Sequence, residues 1–121
     1  MAGGRGGVIQ IPWYATGFRG EDLEAALTEI APVAMRYGAT EYAVHRMRDD
    51  TYKFAQTASF ERPMDFERYW YGPEFVAWRA KHSSWYQVPV IYGWADRVTA
   101  GSRAEAAAAG VQAASAEPDA A

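Results

Sequence analysis

Cysteine is absent from the 121-residue chain. This absence excludes disulfides, thiolate nucleophiles and thiolate metal ligands from the printed sequence. Histidine is nearly as scarce, because His45 and His82 are the only two. Their separation matches no ligand spacing of a zinc or iron site, so we expect no metal site.

An excess of positive charge and long apolar runs are also missing. The formal net charge is -3, which gives no basic field to hold a phosphate backbone, so no nucleic-acid partner is expected. No stretch approaches the roughly 20 apolar residues of a membrane helix, and the glycine-rich N-terminus contains no signal-peptide core. The sequence therefore predicts a soluble, cytoplasmic protein without a membrane partner.

Aromatic side chains, by contrast, are abundant. Half of the residues are hydrophobic and 15% are aromatic, including five tryptophans and eight tyrosines. A chain of this length has room for one domain, and it has ample material for a core. Large aromatics with a polar tip are typical of cavities and interfaces, so some of them are expected to line one.

The two ends differ in composition from the middle. Residues 1–7 are too rich in glycine to order themselves and predict a disordered leader. Residues 99–121 are rich in alanine and carry no apolar face, so we expect a disordered or frayed tail. The folded domain is expected to occupy residues 8–98.

Alternating and β-branched segments predict four strands, at residues 8–14, 40–48, 51–60 and 86–98. Asp49 and Asp50 form the turn that joins the second strand to the third. A helix is expected to begin near Glu21 and end at Gly38, with a kink at Pro32. A second helix is expected over residues 62–82 and is broken at Gly72 and Pro73.

This order is the split βαβ arrangement, βαββαβ, of an α+β ferredoxin-like domain. Such a domain has a four-stranded antiparallel sheet with two helices on one face. The last predicted strand carries apolar side chains on both faces, so the face without helices needs a second layer. A second copy is the commonest supplier, which predicts a homodimer in the form of a dimeric α+β barrel. Pro12 in a central strand counts against this topology unless a bulge accommodates it.

The layout resembles the antibiotic biosynthesis monooxygenase-like family of the dimeric α+β barrel superfamily. The resemblance lies in the block GFRGEDLEAALTEIAPVAMRYGATEYAVHRMRDD, followed by YKFAQTASFERPMDFERYW and GPEFVAWRAKH. It implies a ferredoxin-like fold and oxidation of a quinol-type aromatic without metal, flavin or another cofactor. In such chemistry the acidic phenol of the substrate supplies the electrons, while the protein binds, deprotonates and shields the anion.

The haem-degrading branch of the same family is less similar. Its members use an asparagine on the first strand, where this chain has Gln10, and a histidine four residues after the helix phenylalanine. Here Arg79 stands four residues after Phe75. Haem binding is therefore a weaker possibility.

Three residues are candidates for catalysis. His82 and His45 exchange protons near neutral pH and are alternative general bases for a phenol. Arg79 is a candidate for holding the resulting anion through charge-assisted hydrogen bonds. The structural alternatives are a histidine at a helix C-terminus, a hydrogen-bonded strand histidine and a solvated helix arginine.

Aromatic residues on the second helix and the flanking strands are candidates for substrate binding in a pocket between helices and sheet. Packing in the core or the dimer interface is the alternative for each of them. The candidates are Tyr69, Trp70, Trp78, Trp85, Tyr14 and Tyr92.

The leading hypothesis is a cofactor-independent monooxygenase-like oxidoreductase acting on a hydrophobic aromatic substrate. The alternative is a non-catalytic homodimer that binds a small apolar or aromatic molecule, or is an accessory protein of a larger enzyme. The alanine-rich tail and the lack of a clear acid/base pair favour this alternative.

Overall fold

The computed structural model describes residues 4–114. Four strands form one antiparallel sheet in the order β2-β3-β1-β4. This is the ferredoxin-like order expected from the sequence, and the helices pack on one face of the sheet. The elements are β1 (Gly7–Tyr14), α1 (Gly20–Ile30), a 3-10 helix (Ala31–Tyr37), β2 (Ala39–Arg46), β3 (Lys53–Phe60), α2 (Pro63–Trp70), α3 (Pro73–Lys81), β4 (Gly93–Ala95) and α4 (Arg103–Ala114).

The core lies between the helices and the inner face of the two central strands. Alternation in β1 directs Ile9, Ile11 and Trp13 inward, and all three are buried. The partner strand β3 directs Phe54, Gln56, Ala58 and Phe60 to the same side. The helices pack against this layer of side chains.

The first helical segment follows the expected stripe but changes type. Leu23, Leu27 and Ile30 are buried in α1, as the three- and four-residue spacing predicts. The chain then continues as a 3-10 helix containing Pro32, whose ring cannot fit the interior of an α-helix. The expected kink is therefore a change of helix type. Gly38 ends the segment with φ at 104°, a left-handed conformation that favours glycine.

The second helical segment is divided where the sequence predicts a break. Helix α2 ends at Trp70, and α3 begins at Pro73 with Gly72 before it. A proline at the first turn of a helix lacks only an N–H that would be unbonded there anyway. After this break, α3 buries Phe75 and Trp78 in the core.

The prediction of a last strand over residues 86–98 is mostly wrong. Only Gly93–Ala95 pairs with β1, although residues 86–98 were expected to form a strand. Along β1, the main-chain groups of even-numbered residues face this segment: Gln87 N–H donates to Tyr14 O, and Thr16 N–H donates to Trp85 O. Pro12 faces the same way and has no N–H to offer, so a longer ladder would lack a donor there.

Pro12 itself requires no bulge. It pairs with Ala55 in an unbroken β1–β3 register, because its nitrogen points away from β3. The β4 ladder reaches only to Gln10, so Pro12 lies beyond the paired part of the edge strand. Pro12 therefore does not count against the ferredoxin-like topology.

The outer face of the sheet, which carries no helix, is less apolar than the sequence analysis expected. Small and apolar side chains alternate there with polar ones, and no second continuous apolar surface results. Its side chains are Val8, Gln10, Pro12 and Tyr14 on β1, Glu41, Ala43 and His45 on β2, and Ala55, Thr57 and Ser59 on β3. We call this surface the open face.

The ends of the chain are only partly described. Arg5 pairs with Asp96, and Gly6 donates a hydrogen bond to Glu61 O, while residues 1–3 of the expected leader lie outside the described residues. In the expected tail, Arg103–Ala114 forms α4, consistent with the helix propensity of alanine. Side chains 103–108 are exposed, and residues 115–121 lie outside the described range.

Candidate functional site

Arg79 packs against the aromatic rings of Trp70 and Phe75. Its guanidinium carbon is 3.9 Å from the centre of the Trp70 ring and 5.0 Å from that of Phe75. Nη1 is buried and has no hydrogen-bond partner in the part of the chain that the structure describes. A buried donor without a partner is costly, so this N–H is placed to donate a hydrogen bond to the oxygen of an anion.

Tyrosines surround this guanidinium. Burial lowers the pKa of Arg79, while the nearby tyrosine hydroxyls act in the opposite direction; these belong to Tyr86, Tyr71, Tyr69 and Tyr92. Burial also raises the pKa of Tyr86 and of Tyr92. The phenols therefore remain protonated at neutral pH and are able to donate hydrogen bonds, whereas their use as bases is disfavoured.

Trp70 and Tyr92 are brought together with Arg79. The ring centres of Trp70 and Tyr92 are 5.2 Å apart, and Phe66 contacts both. Trp70 is 8% exposed, so its ring already belongs to the core.

His82 lies at the C-terminal end of α3 in a second aromatic group. Its ring is 5.0 Å from that of Trp78 and 4.6 Å from that of Trp85. Nδ1 lies 2.9 Å from the backbone oxygen of Trp78, so the tautomer that donates this bond leaves Nε2 as the acceptor. His82 is only 5% exposed.

A buried hydrogen-bond chain, which sequence reasoning missed, connects α1 and α2 to the sheet. Trp13 Nε1 donates to Gln56 Oε1 at 2.9 Å, and Gln56 Nε2 donates to Tyr69 Oη at 3.1 Å. Tyr69 in turn donates to Ile30 O at 2.7 Å. The signal was a single amide in the inward-facing series of β3, between Phe54 and Ala58.

Trp13 lies between the two groups. Its ring packs edge-on against Trp78 at 5.2 Å and against Tyr86 at 5.0 Å, and it is tilted against Trp70 at 6.4 Å. The chain through Gln56 fixes the plane of this indole. Trp13 was likewise absent from the candidates that the sequence indicated.

Two of the sequence candidates lie elsewhere. His45 and Tyr14 are on the open face, on the other side of the sheet from Arg79 and His82. The hydroxyl of Tyr14 donates to Asp50 Oδ2 at 2.8 Å. A single small substrate therefore cannot contact His45 and Arg79 together.

The open face carries a cleft with a volume of about 390 Å³. It extends over the centre of the sheet toward the edge strand β4. Its lining is formed by Gln10, Ile11, Pro12, Ala55, Thr57, Ile91, Gly93 and Trp94.

Residues 4–114 contain no candidate metal cluster and no candidate membrane-spanning helix. No group of three or more histidine, aspartate or glutamate side chains in that range is arranged to hold a metal ion. No helix there is long and apolar enough to cross a membrane.

No family model and no curated protein matches the sequence. Solved structures do match. The Pseudomonas aeruginosa protein PA3566 has a TM-score of 0.69 at 17% identity, and the match covers 82% of this chain and 100% of that one. A candidate antibiotic biosynthesis monooxygenase from Bordetella bronchiseptica has a TM-score of 0.66 at 21% identity, with 77% and 99% covered.

A third match is a variant of SnoaB, a cofactor-independent oxygenase from Streptomyces nogalater. Its TM-score is 0.66 at 16% identity, and the match covers 78% of this chain and 96% of that one. Identities this low establish the fold alone. The chain therefore has the ferredoxin-like fold of the antibiotic biosynthesis monooxygenase-like proteins, as its sequence pattern indicated.

Proposed function

We propose that the protein is a cofactor-independent monooxygenase-like oxidoreductase that oxidises a hydrophobic phenol of quinol type. The observation that carries this proposal is the half-buried Arg79, with one buried N–H unpaired beside Trp70 and protonated tyrosines. A phenolate carries a negative charge, which would pair with the unpaired N–H of Arg79. It also has a flat apolar ring, which would pack against the surrounding aromatic rings. The fold shared with a cofactor-independent oxygenase supports the same reaction class.

The reaction balances without an external reductant. A phenol with a free ring C–H opposite its hydroxyl combines with O₂ to give the para-quinone and water. One oxygen atom enters the ring carbon and the other leaves as water, and all four electrons come from the substrate. The protein has to bind the phenol, remove its proton and stabilise the anion.

His82 is the base in this proposal, because it lies in the helical layer three residues after Arg79, whereas His45 is on the open face. With the proton of Nδ1 donated to Trp78 O, Nε2 accepts the phenolic proton. The proposed substrate approaches Arg79 beside Tyr92, whose ring centre lies 5.2 Å from that of Trp70.

Oxygen consumption tests this function. Pure protein incubated with 1-naphthol and with polycyclic dihydroxy phenols is expected to consume one O₂ per quinone formed, without added metal or reductant. Labelled O₂ should place one atom in the quinone and one in water. The methyl ether of the same phenol is the control, because it cannot ionise. Absence of oxygen uptake across the panel would refute the proposal.

We also propose that the protein is a homodimer that packs through its open face. Val8, Pro12, Ala43 and Ala55 form an apolar part of that face, and Ile91 beside it is 71% exposed. Covering these side chains with a second copy removes apolar surface from water.

Ala43→Glu is expected to convert the dimer to a monomer in sedimentation, because a carboxylate would then be buried against the partner's sheet. Ala25→Glu is the matched control, since Ala25 is exposed on α1. A monomeric unmodified protein, or a dimer unaffected by Ala43→Glu, contradicts packing through this face.

A further inference from the structure

The cleft on the open face has the size and shape of a small-molecule site. Its volume of about 390 Å³ lies within the roughly 300–1,000 Å³ range of ligand pockets. Small side chains form its floor, namely those of Pro12, Ala55 and Thr57 together with Gly93. The exposed Ile91 stands at the β4 side, whereas the Trp94 ring lies on the helical face of the sheet, edge-on against Phe66 at 5.7 Å.

Two polar side chains, those of Gln10 and Thr57, lie side by side on the floor of the cleft. Gln10 and Thr57 stand directly opposite each other in the β1–β3 ladder, and Gln10 also pairs with Gly93 of β4. An amide and a hydroxyl placed side by side offer both donors and acceptors to one edge of a ligand. Among the residues that the structure describes, no charged side chain lines the cleft, so a neutral ligand is favoured over an ion.

We propose that this cleft is a ligand site of its own, which binds a small, planar, uncharged molecule with one hydrogen-bonding edge. The apolar faces of the ligand lie against Pro12, Ala55 and Ile91, and its polar edge meets Gln10 and Thr57. This site is independent of the proposed oxidation site, because the sheet separates it from Arg79. Ligand binding to the cleft is therefore tested separately from the oxidation reaction.

The homodimer proposed above would enclose this site. The bound molecule would then lie between two sheets, where its hydrogen bonds gain strength from the exclusion of water. Binding to the dimer is expected to be no weaker than binding to the monomer.

N-phenyl-1-naphthylamine is a suitable probe, because it is neutral and mostly planar, carries one N–H and fluoresces when it leaves water. We expect saturable binding with energy transfer from tryptophan. Gly93→Leu is expected to weaken binding at least tenfold by filling the cleft, since a Cβ at Gly93 meets no atom within 4 Å and the fold can accept the side chain. Gly101→Leu, at another position with no atom within 4 Å of a Cβ, is the matched control.

Gln10→Leu keeps the size of the side chain and removes its hydrogen bonds. It is expected to weaken binding about two- to tenfold, the effect of one hydrogen bond. Sedimentation of each variant shows whether its oligomeric state has changed. The proposal is overturned if the probe does not bind, if Gly93→Leu binds it as well as Gly101→Leu does, or if Arg79→Gln abolishes binding instead.

Discussion

Arg79→Gln is expected to lower kcat/KM for phenol oxidation by about a hundred- to a thousand-fold, the range observed when one preorganised donor to a developing anion is removed. Arg79 brings a full charge to a half-buried position, where it interacts more strongly with an anion than it would in water. Glutamine retains a donor but loses the charge. Initial rates of oxygen consumption and quinone formation measure the difference.

The same variant separates a functional role from a structural one. Losing the contact with Trp70 removes about 0.5–2 kcal/mol of cation–π attraction. Removing the unpaired Nη1 relieves a desolvation cost of about 1–3 kcal/mol. The free energy of unfolding should therefore change little while activity falls. If Arg79 had only a structural role, Arg79→Gln would lower the free energy of unfolding instead.

Two further variants complete the comparison. Arg79→Lys retains the charge without the planar fork that lies on Trp70, so its activity should fall between those of the unmodified protein and Arg79→Gln. Arg48→Gln changes an exposed arginine near the β2–β3 turn and should be neutral. An Arg79→Gln protein within twofold of normal activity would remove Arg79 from the mechanism.

The order of elements could be predicted because local signals agree with the final packing. Leu23, Leu27 and Ile30 repeat at helical spacing and are all buried against the sheet. Gly38 ends its segment because the chain turns into β2 through a left-handed conformation there. These features depend only on neighbouring residues.

The length of the last strand could not be predicted from its own residues. The segment 86–98 is rich in β-branched and aromatic side chains, and only its pairing with β1 decides how far it extends. If the register of Gln10 with Gly93 continued, Pro12 would stand opposite Ile91. The missing N–H of Pro12 thus limits a strand about 80 positions away in the sequence.

The candidate site was only partly predictable for the same reason. Arg79, Trp70 and Tyr92 were indicated by residue type, and the structure brings them together, but their roles remain predictions. The burial of Nη1 depends on the packing of Arg79 against Trp70 and Phe75, which no local pattern reports. Gln56 was missed because a single amide in an apolar strand gives no local sign of its hydrogen-bond partners, which lie on β1 and α2.

Trp13→Ala is expected to destabilise the protein by about 3–5 kcal/mol, the usual cost of deleting a buried large aromatic. Trp13 is 1% exposed and contacts Trp70, Phe75, Trp78 and Tyr86. Its removal also leaves Gln56 Oε1 without its donor in the core. Chemical unfolding followed by far-ultraviolet circular dichroism measures the loss.

Trp94→Ala is the matched control, because the same side chain is removed at a position that is 41% exposed, and it should cost much less. Trp13→Phe separates packing from hydrogen bonding, since it keeps most of the ring and removes only the N–H donor. It should cost about 1–3 kcal/mol, the penalty of one unpaired buried polar group. If Trp13→Phe cost nothing, the chain through Gln56 would not orient the indole, and the geometry of the aromatic layer around Arg79 would rest on packing alone.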